Sequence, residues 1–223
     1  MGLYYIWSKD KLWFYIIKML IFDIGANVGK YSLTHKEYNI ISVEANPDTF
    51  QILCNNVRDY KNIIPLNYAI SSNNTEYVDF YTCSADTLCT MDVNWISSPE
   101  SRFGNFKNTI RKISVKTISI DKMIELYGNP DLIKVDVEGA EFNVLSSLTK
   151  KIPILCFEWA SEWKNDSINC VHHLEKIGFS QFHIQKEDLY SYYPTNFNLS
   201  SNDVIQYLHS TTPKVDWGMI WAK

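Results

Sequence analysis

Residues 19–29 read M-L-I-F-D-I-G-A-N-V-G, and this run constrains the fold of the 223-residue chain more than any other. An apolar stretch of strand length reaches an acid, breaks at Gly25, and after Gly29 restarts as K-Y-S-L-T-H-K-E. A buried strand that turns sharply into a helix gives this pattern. The turn is expected to leave backbone N–H groups unpaired at the helix start. Gly25 and Gly29 are expected to let a ligand approach the main chain closely.

The spacing selects among ligands. A dinucleotide fold places its pyrophosphate over G-x-G-x-x-G. Here Ala26, Asn27 and Val28 separate the two glycines, so the middle glycine is missing. Asp23 sits just before the turn, where its charge opposes a phosphate and suits a cation. S-adenosylmethionine carries a sulfonium and an α-amino group and no phosphate, so it fits this end of a strand. The next apolar run, residues 39–44, ends in Glu44, one strand–helix–strand unit after Asp23. A carboxylate there can accept both ribose hydroxyls of a nucleoside. Residues 62–70 form a third strand and its exit, which would lie beside the adenine. An ordinary strand–turn–helix with solvent-facing acids is the plainer alternative.

Composition narrows the class. At 46% hydrophobic, 14% aromatic and 21% charged residues, the chain is globular rather than disordered. Its length suits one well-buried domain. A net charge of −4 with no basic run disfavours nucleic acid as the main partner. The five cysteines, Cys54, Cys83, Cys89, Cys156 and Cys170, show no metal-type spacing. With no signal-peptide pattern, they indicate free thiols and a cytoplasmic location. Residues 1–19 are unusually aromatic, but Lys9, Asp10 and Lys11 interrupt them, so no transmembrane segment is expected. They read as a helical extension packed on a domain spanning 20–223. A membrane-surface or dimer role is the alternative, and a homo-oligomer is compatible with the sequence.

Further along, helices are expected at 30–38 and 48–60, and alternating strands at 76–82 and 113–119. The polar and aromatic stretch 83–112 is too long for a passive connection. It is expected either to cover or shape a ligand site, like a lid, or to be a mobile insertion. Residues 131–137 form a buried strand with Lys134 and Asp136 on one face. The following E-G-A-E-F-N-V-L is expected to start a helix with Glu138 and Glu141 in its first turn. A strand at 152–159 ends in Glu158, a helix covers 167–177, and strands lie near 181–184 and 217–222. Strands alternating with helices indicate an α/β fold with a mostly parallel sheet covered on both faces. Asp23, Glu44, Asp136 and Glu158 then collect at the carboxyl ends of the strands, where such sheets bind ligands.

F-D-I-G-A-N-V-G-K-Y-S, V-E-A-N-P, T-I-S-I-D-K-M and L-I-K-V-D-V-E-G-A-E together resemble the FkbM family of S-adenosylmethionine-dependent methyltransferases. The resemblance runs from Leu20 to the C-terminus, and 83–112 matches only in location. It implies a Rossmann-like class I methyltransferase fold with a seven-stranded sheet, and O-methylation of a small-molecule or glycan hydroxyl. By matching position, Asp23, Gly25, Asn27 and Gly29 would hold the methionine part. Glu44 would take the ribose, bordered by Ala45 and Asn46, and residues 67–69, with Asn67 and Ala69 at their ends, would flank the adenine. Asp136 would face the transfer site.

An alcohol is a poor nucleophile, so a base or a metal ion is expected beside it. Asp136 is the first candidate, Glu138 and Glu158 the second, and Lys134 pairs with Asp136 or Glu158. Asp136 and Glu158 are compatible with a divalent cation, but the spacing assigns no metal ligand. The rival readings are a methyltransferase acting on RNA or protein and a non-catalytic cofactor-binding module. For RNA, Trp95, Phe103 and Phe106 beside Arg102 and Lys107 would supply a stacking platform, though the same rings could stack on a sugar. An NAD-dependent oxidoreductase is disfavoured by the missing glycine.

Overall fold

The computed structural model describes residues 18–72 and 75–223, together with the backbone of residues 3–4 and 15–16. In chain order the strands and helices are β1 Leu3–Tyr4, β2 Tyr15–Ile16, β3 Leu20–Ile24, α1 Lys30–Thr34, β4 Asn39–Val43, α2 Pro47–Val57, β5 Ile63–Leu66, β6 Ala69–Ile70 and β7 Tyr77–Thr82. They continue as α3 Val93–Ser97, β8 Arg111–Ile118, α4 Ile120–Tyr127, β9 Leu132–Val135, α5 Glu141–Leu145, β10 Ile154–Ala160, α6 Lys164–Lys176, β11 Phe182–Lys186, α7 Ser201–Ser210 and β12 Trp217–Ala222.

Seven strands form the main sheet in the order β11-β12-β10-β9-β3-β4-β5. The ladders from β10 through β9, β3 and β4 to β5 are parallel, and β12 runs antiparallel to both its neighbours. This is the expected mostly parallel α/β sheet. Its strands are apolar on both faces because both are covered. Phe22, Ile24, Ile133, Val135 and Phe157 pack with Met123, Val144, Leu174 and Leu208 of α4 to α7. Ile21, Ile40, Leu132 and Cys156 pack with Tyr31, Leu53 and Val57 of α1 and α2. Strand alternation therefore sends Asp23 and Lys134, register partners across β3 and β9, toward the α1–α2 layer.

A second sheet, β6-β8-β7, flanks the carboxyl edge of the main one. The stretch 62–70, expected as a third strand and its exit, forms β5 and then β6, which pairs in the second sheet. Pro65 is tolerated in β5 because that strand lies at the sheet edge. The first helix stops at Thr34, four residues short of expectation, because the chain must turn at 35–38 to enter β4. Helix α7 was not foreseen. Its cap, Ser200 with Asp203, is a capping box legible in S-S-N-D.

Six positions of the N-terminal extension are described: 3–4 and 15–16 form a short antiparallel pair, Leu3↔Ile16 and Tyr4↔Tyr15, and 18–19 lead into β3 without regular structure, so none of them is helix. The rest of the expected helical extension lies outside the described residues. No helix among the described residues is long and apolar enough to cross a membrane.

Candidate active site

Lys134 anchors the floor of the site. It is 2% exposed, and its Nζ lies 2.8 Å from Asp136 Oδ2 and 3.6 Å from Asp188 Oδ2. The rings of Tyr31 and Tyr190 lie 5.5 and 5.8 Å from the same nitrogen. Burial works to lower its proton affinity, but Asp136, Asp188 and Asp23 outweigh that and raise it well above the ordinary lysine value. Lys134 therefore stays a cation.

Asp23 is fully buried and accepts a 2.6 Å hydrogen bond from Ser32 Oγ on Oδ2. Its other oxygen, Oδ1, has no hydrogen-bond partner. Burial raises its proton affinity, against the pull of Lys134 and the Ser32 bond.

The glycine turn is built differently from expectation. Gly25 N and Ala26 N both donate to Val43 O at 2.9 Å, and Gly29 N donates to Ala26 O. Asn27 N donates to Glu44 Oε2, and Val28 N to the Asn27 side chain. The backbone donors of residues 25–29 are thus consumed inside the chain rather than left for a ligand. The glycines serve packing as well. A Cβ on Gly25, at φ +78°, would lie 1.7 Å from the Asp136 carbonyl oxygen, and one on Gly29 would lie 2.8 Å from Leu53 Cδ1. Close approach of β3 to the exit of β9, and of α1 to α2, requires them.

Glu44 closes the turn. Besides Asn27 N it accepts from Asn46 N at 2.8 Å, and burial pushes its carboxyl up to about 7 despite these bonds. Asn46 caps α2 through Asp48 N. Asn67 donates to the backbone carbonyls of Glu44 and Ala45.

These elements enclose a pocket of about 950 Å³, counted to its open mouth, at the carboxyl edge of β3, β4 and β9. Of the residues expected in the cofactor site, Asp23, Gly25, Asn27, Glu44, Ala45, Ala69 and Asp136 line it. Gly29, Asn46 and Asn67 do not. Gly29 and Asn67 bond the backbone of residues that do, and Asn46 bonds the side chains of Glu44 and Cys89. Lys134 and Glu138 also line the pocket. Tyr68, Ile70, Phe80 and Met91 give one wall an apolar surface.

Beyond Asp136 the pocket meets an acidic corner. Asp136, Glu138 and Glu158 each offer a carboxylate oxygen within 4.8 Å of the others. Glu138 precedes α5 at φ +58° rather than forming its first turn. Burial first, then Asp136 and a second acid, raises the proton affinities of Glu138 and Glu158 well above the carboxylate range. Glu141 does stand in the first turn of α5 as expected, and its carboxylate accepts from Val137 N and Gly139 N.

The stretch 83–112 supplies Thr87, Cys89 and Met91 to the pocket lining and Trp95 to its support. The anticipated base-stacking platform does not form. Trp95 is 2% exposed, and Arg102 is held by Glu162 at 2.5 and 2.6 Å. Lys134 pairs with Asp136 and Asp188, so an expected partnership with Glu158 does not form.

Asp188, Tyr31 and Tyr190 escaped the sequence reading as site residues, and Trp95 was read only as part of a stacking platform, not as a partner of Glu138. Asp188 was findable. It follows β11, whose carboxyl end lies at the same sheet edge, and the rule that selected Asp23 and Glu44 applies to it. Trp95 had no comparable signal, because only the fold brings it against Glu138.

The chain is similar to several known proteins. Over 143 residues the chain is 31% identical to the hexuronic acid methyltransferase AglP of Haloferax volcanii, covering 62% of this chain and 53% of that protein. The chain thus spans about half the length of that relative. Among solved structures, precorrin-6y C5,15-methyltransferase of Geobacter metallireducens aligns with a TM-score of 0.48 at 10% identity, over 92% of this chain and 80% of that one. Fibrillarin of Aeropyrum pernix, in complex with S-adenosyl-L-methionine, aligns at 0.47 and 12% identity, over 93% and 66%. Residues 23–204 match the methyltransferase FkbM domain, and the chain belongs to that family.

Proposed function

We propose that this chain is an S-adenosylmethionine-dependent O-methyltransferase acting on a hydroxyl of a sugar or glycan. The observation that carries the reading is Asp23, fully buried in the pocket wall with Oδ1 lacking a partner. A buried acid is costly unless a donor or a cation meets it, and an ammonium or sulfonium supplies that charge. The lining carries four carboxyl groups, Asp23, Glu44, Asp136 and Glu138, against two lysines, Lys30 and Lys134. The residues present therefore fit a cationic nucleoside better than a phosphate-bearing one.

Asp23 and Asn27 would hold the methionine part. Glu44, with each oxygen already oriented by a backbone N–H, retains lone pairs for two ribose hydroxyls. Tyr68, Ile70, Phe80 and Met91 would flank the adenine. When bound, S-adenosylmethionine supplies an activated methyl group.

The protein's own work is to orient a hydroxyl and take its proton. Asp136 is tied to Lys134 through one oxygen, which suits it to orienting the acceptor. Glu138 is the stronger proton acceptor, because burial and neighbouring acids raise its proton affinity above that of an ordinary carboxylate. The likeness to a hexuronic acid methyltransferase supports a sugar acceptor.

The test is methyl transfer from isotopically labelled S-adenosylmethionine to a panel of hexosides and hexuronosides, read by mass spectrometry. Incorporation on a ring hydroxyl supports the reading. Incorporation only into RNA or protein supplied in parallel would replace it.

A further inference from the structure

Glu138 holds a backbone conformation, φ +58°, that a non-glycine residue keeps only when its surroundings impose it. The surroundings here are unusually specific. The next residue is Gly139, at φ +89°, and a Cβ on it would lie 2.8–3.1 Å from Cε3, Cδ2 and Cγ of the Trp95 indole. The indole thus lies directly against the turn that carries Glu138. Its Nε1 donates to Glu138 Oε2 at 2.9 Å.

The indole is itself fixed. It meets the Trp163 ring edge-on at 5.1 Å and the Phe103 ring at 5.3 Å. Trp163 Nε1 donates to Asp92 Oδ2, while Asp92 Oδ1 caps α3, the helix that presents Trp95. Arg102, seven residues further on, grips Glu162 with two hydrogen bonds and donates to Asp216 O. The indole cannot swing away unless these ties break.

We propose that Trp95 is a positioning residue for Glu138, so that the insertion 83–112 is a fixed wall completing the active site rather than a cover over it. The inference rests on the methyl-transfer reading above. Indole nitrogen is a donor only, so its bond favours the carboxylate and pins one oxygen, leaving Oε1 for the acceptor hydroxyl. A tryptophan needed for packing alone does not require this bond. Trp159 of the same chain is equally buried, and its Nε1 has no partner.

Two measurements test the proposal. In the ¹⁵N–¹H spectrum of the wild-type protein, the indole resonance that disappears in Trp95→Phe should be the one that Glu138→Gln displaces. A Trp95 indole resonance, assigned by through-bond experiments on the wild-type protein, that is indifferent to Glu138→Gln overturns the proposal without any need for a folded Trp95 variant. In the sugar methylation assay, Trp95→Phe should lower kcat by roughly tenfold, the order expected for one charge-assisted hydrogen bond. KM for the sugar and Kd for S-adenosylmethionine should stay within about twofold. Wild-type kcat in Trp95→Phe, or a loss seen only as weaker cofactor binding and a lower melting temperature, overturns it. A wild-type protein that binds S-adenosylmethionine but methylates no sugar overturns the acceptor reading instead, and the resonance shift still decides the role of Trp95.

Discussion

A lysine with 2% of its surface exposed persists in a sheet interior only because carboxylates meet its charge from several sides. Lys134 is met by Asp136 and Asp188 directly and by Asp23 across the β3–β9 register. Lys134→Met should therefore cost about 3–5 kcal/mol, because the buried acids are left uncompensated. Urea unfolding of the wild type and variant measures this. Glu44 makes the opposite kind of prediction. Its carboxyl titrates at about 7 in the folded chain, against an ordinary value of 4.5. The folded state thus holds that proton more tightly, and the stability it contributes, complete below 4.5, is lost as pH rises through 7. Ribose hydroxyls need the ionised form as acceptor. Affinity for S-adenosylmethionine should accordingly weaken about tenfold from pH 8 to pH 6. Calorimetric titration at both pH values checks it, and Glu44→Gln should bind more weakly with that part of the pH dependence gone.

At the scale of the element, the turn after β3 and the insertion 83–112 carry the site. Gly25→Ala should abolish soluble folded protein, because the new Cβ meets a backbone carbonyl that cannot yield. Gly128→Ala, whose nearest contact would be 3.9 Å away, should leave a folded protein destabilised by about 1–3 kcal/mol, the strain of its positive φ alone. Expression and thermal melting of the two variants separate these outcomes. Arg102→Ala frees the insertion from Glu162. Limited proteolysis should then cut within 98–110 about tenfold faster while the main sheet stays intact. The turn was legible as a turn, since glycine spacing reports backbone conformation. Its purpose was not, because only the folded chain shows Gly25 against the Asp136 carbonyl and every N–H of residues 25–29 already engaged. Glu138 was misplaced for a similar reason. E-G-A-E has helical composition, yet the packing of Trp95 on Gly139 holds Glu138 outside the helix.

Across the whole molecule, seven strands bring acids distant in sequence to one edge, where the pocket lining carries four carboxyl groups against two lysines. The parallel strands could be read in advance because most are short apolar runs, buried on both faces and followed by a polar residue. Strand-end acids could be read for the same reason. Contacts that depend on a loop crossing the sheet edge, Asp188 to Lys134 and Trp95 to Glu138, have no local pattern and emerge only from the fold. The central claim is that this acidic edge is a receptor for S-adenosylmethionine. Calorimetric titration of the purified protein with S-adenosylmethionine, with NAD as a parallel control, tests it most directly. Saturable one-site binding of S-adenosylmethionine without measurable binding of NAD is the predicted result. No binding of S-adenosylmethionine, or equal binding of both, would contradict the account.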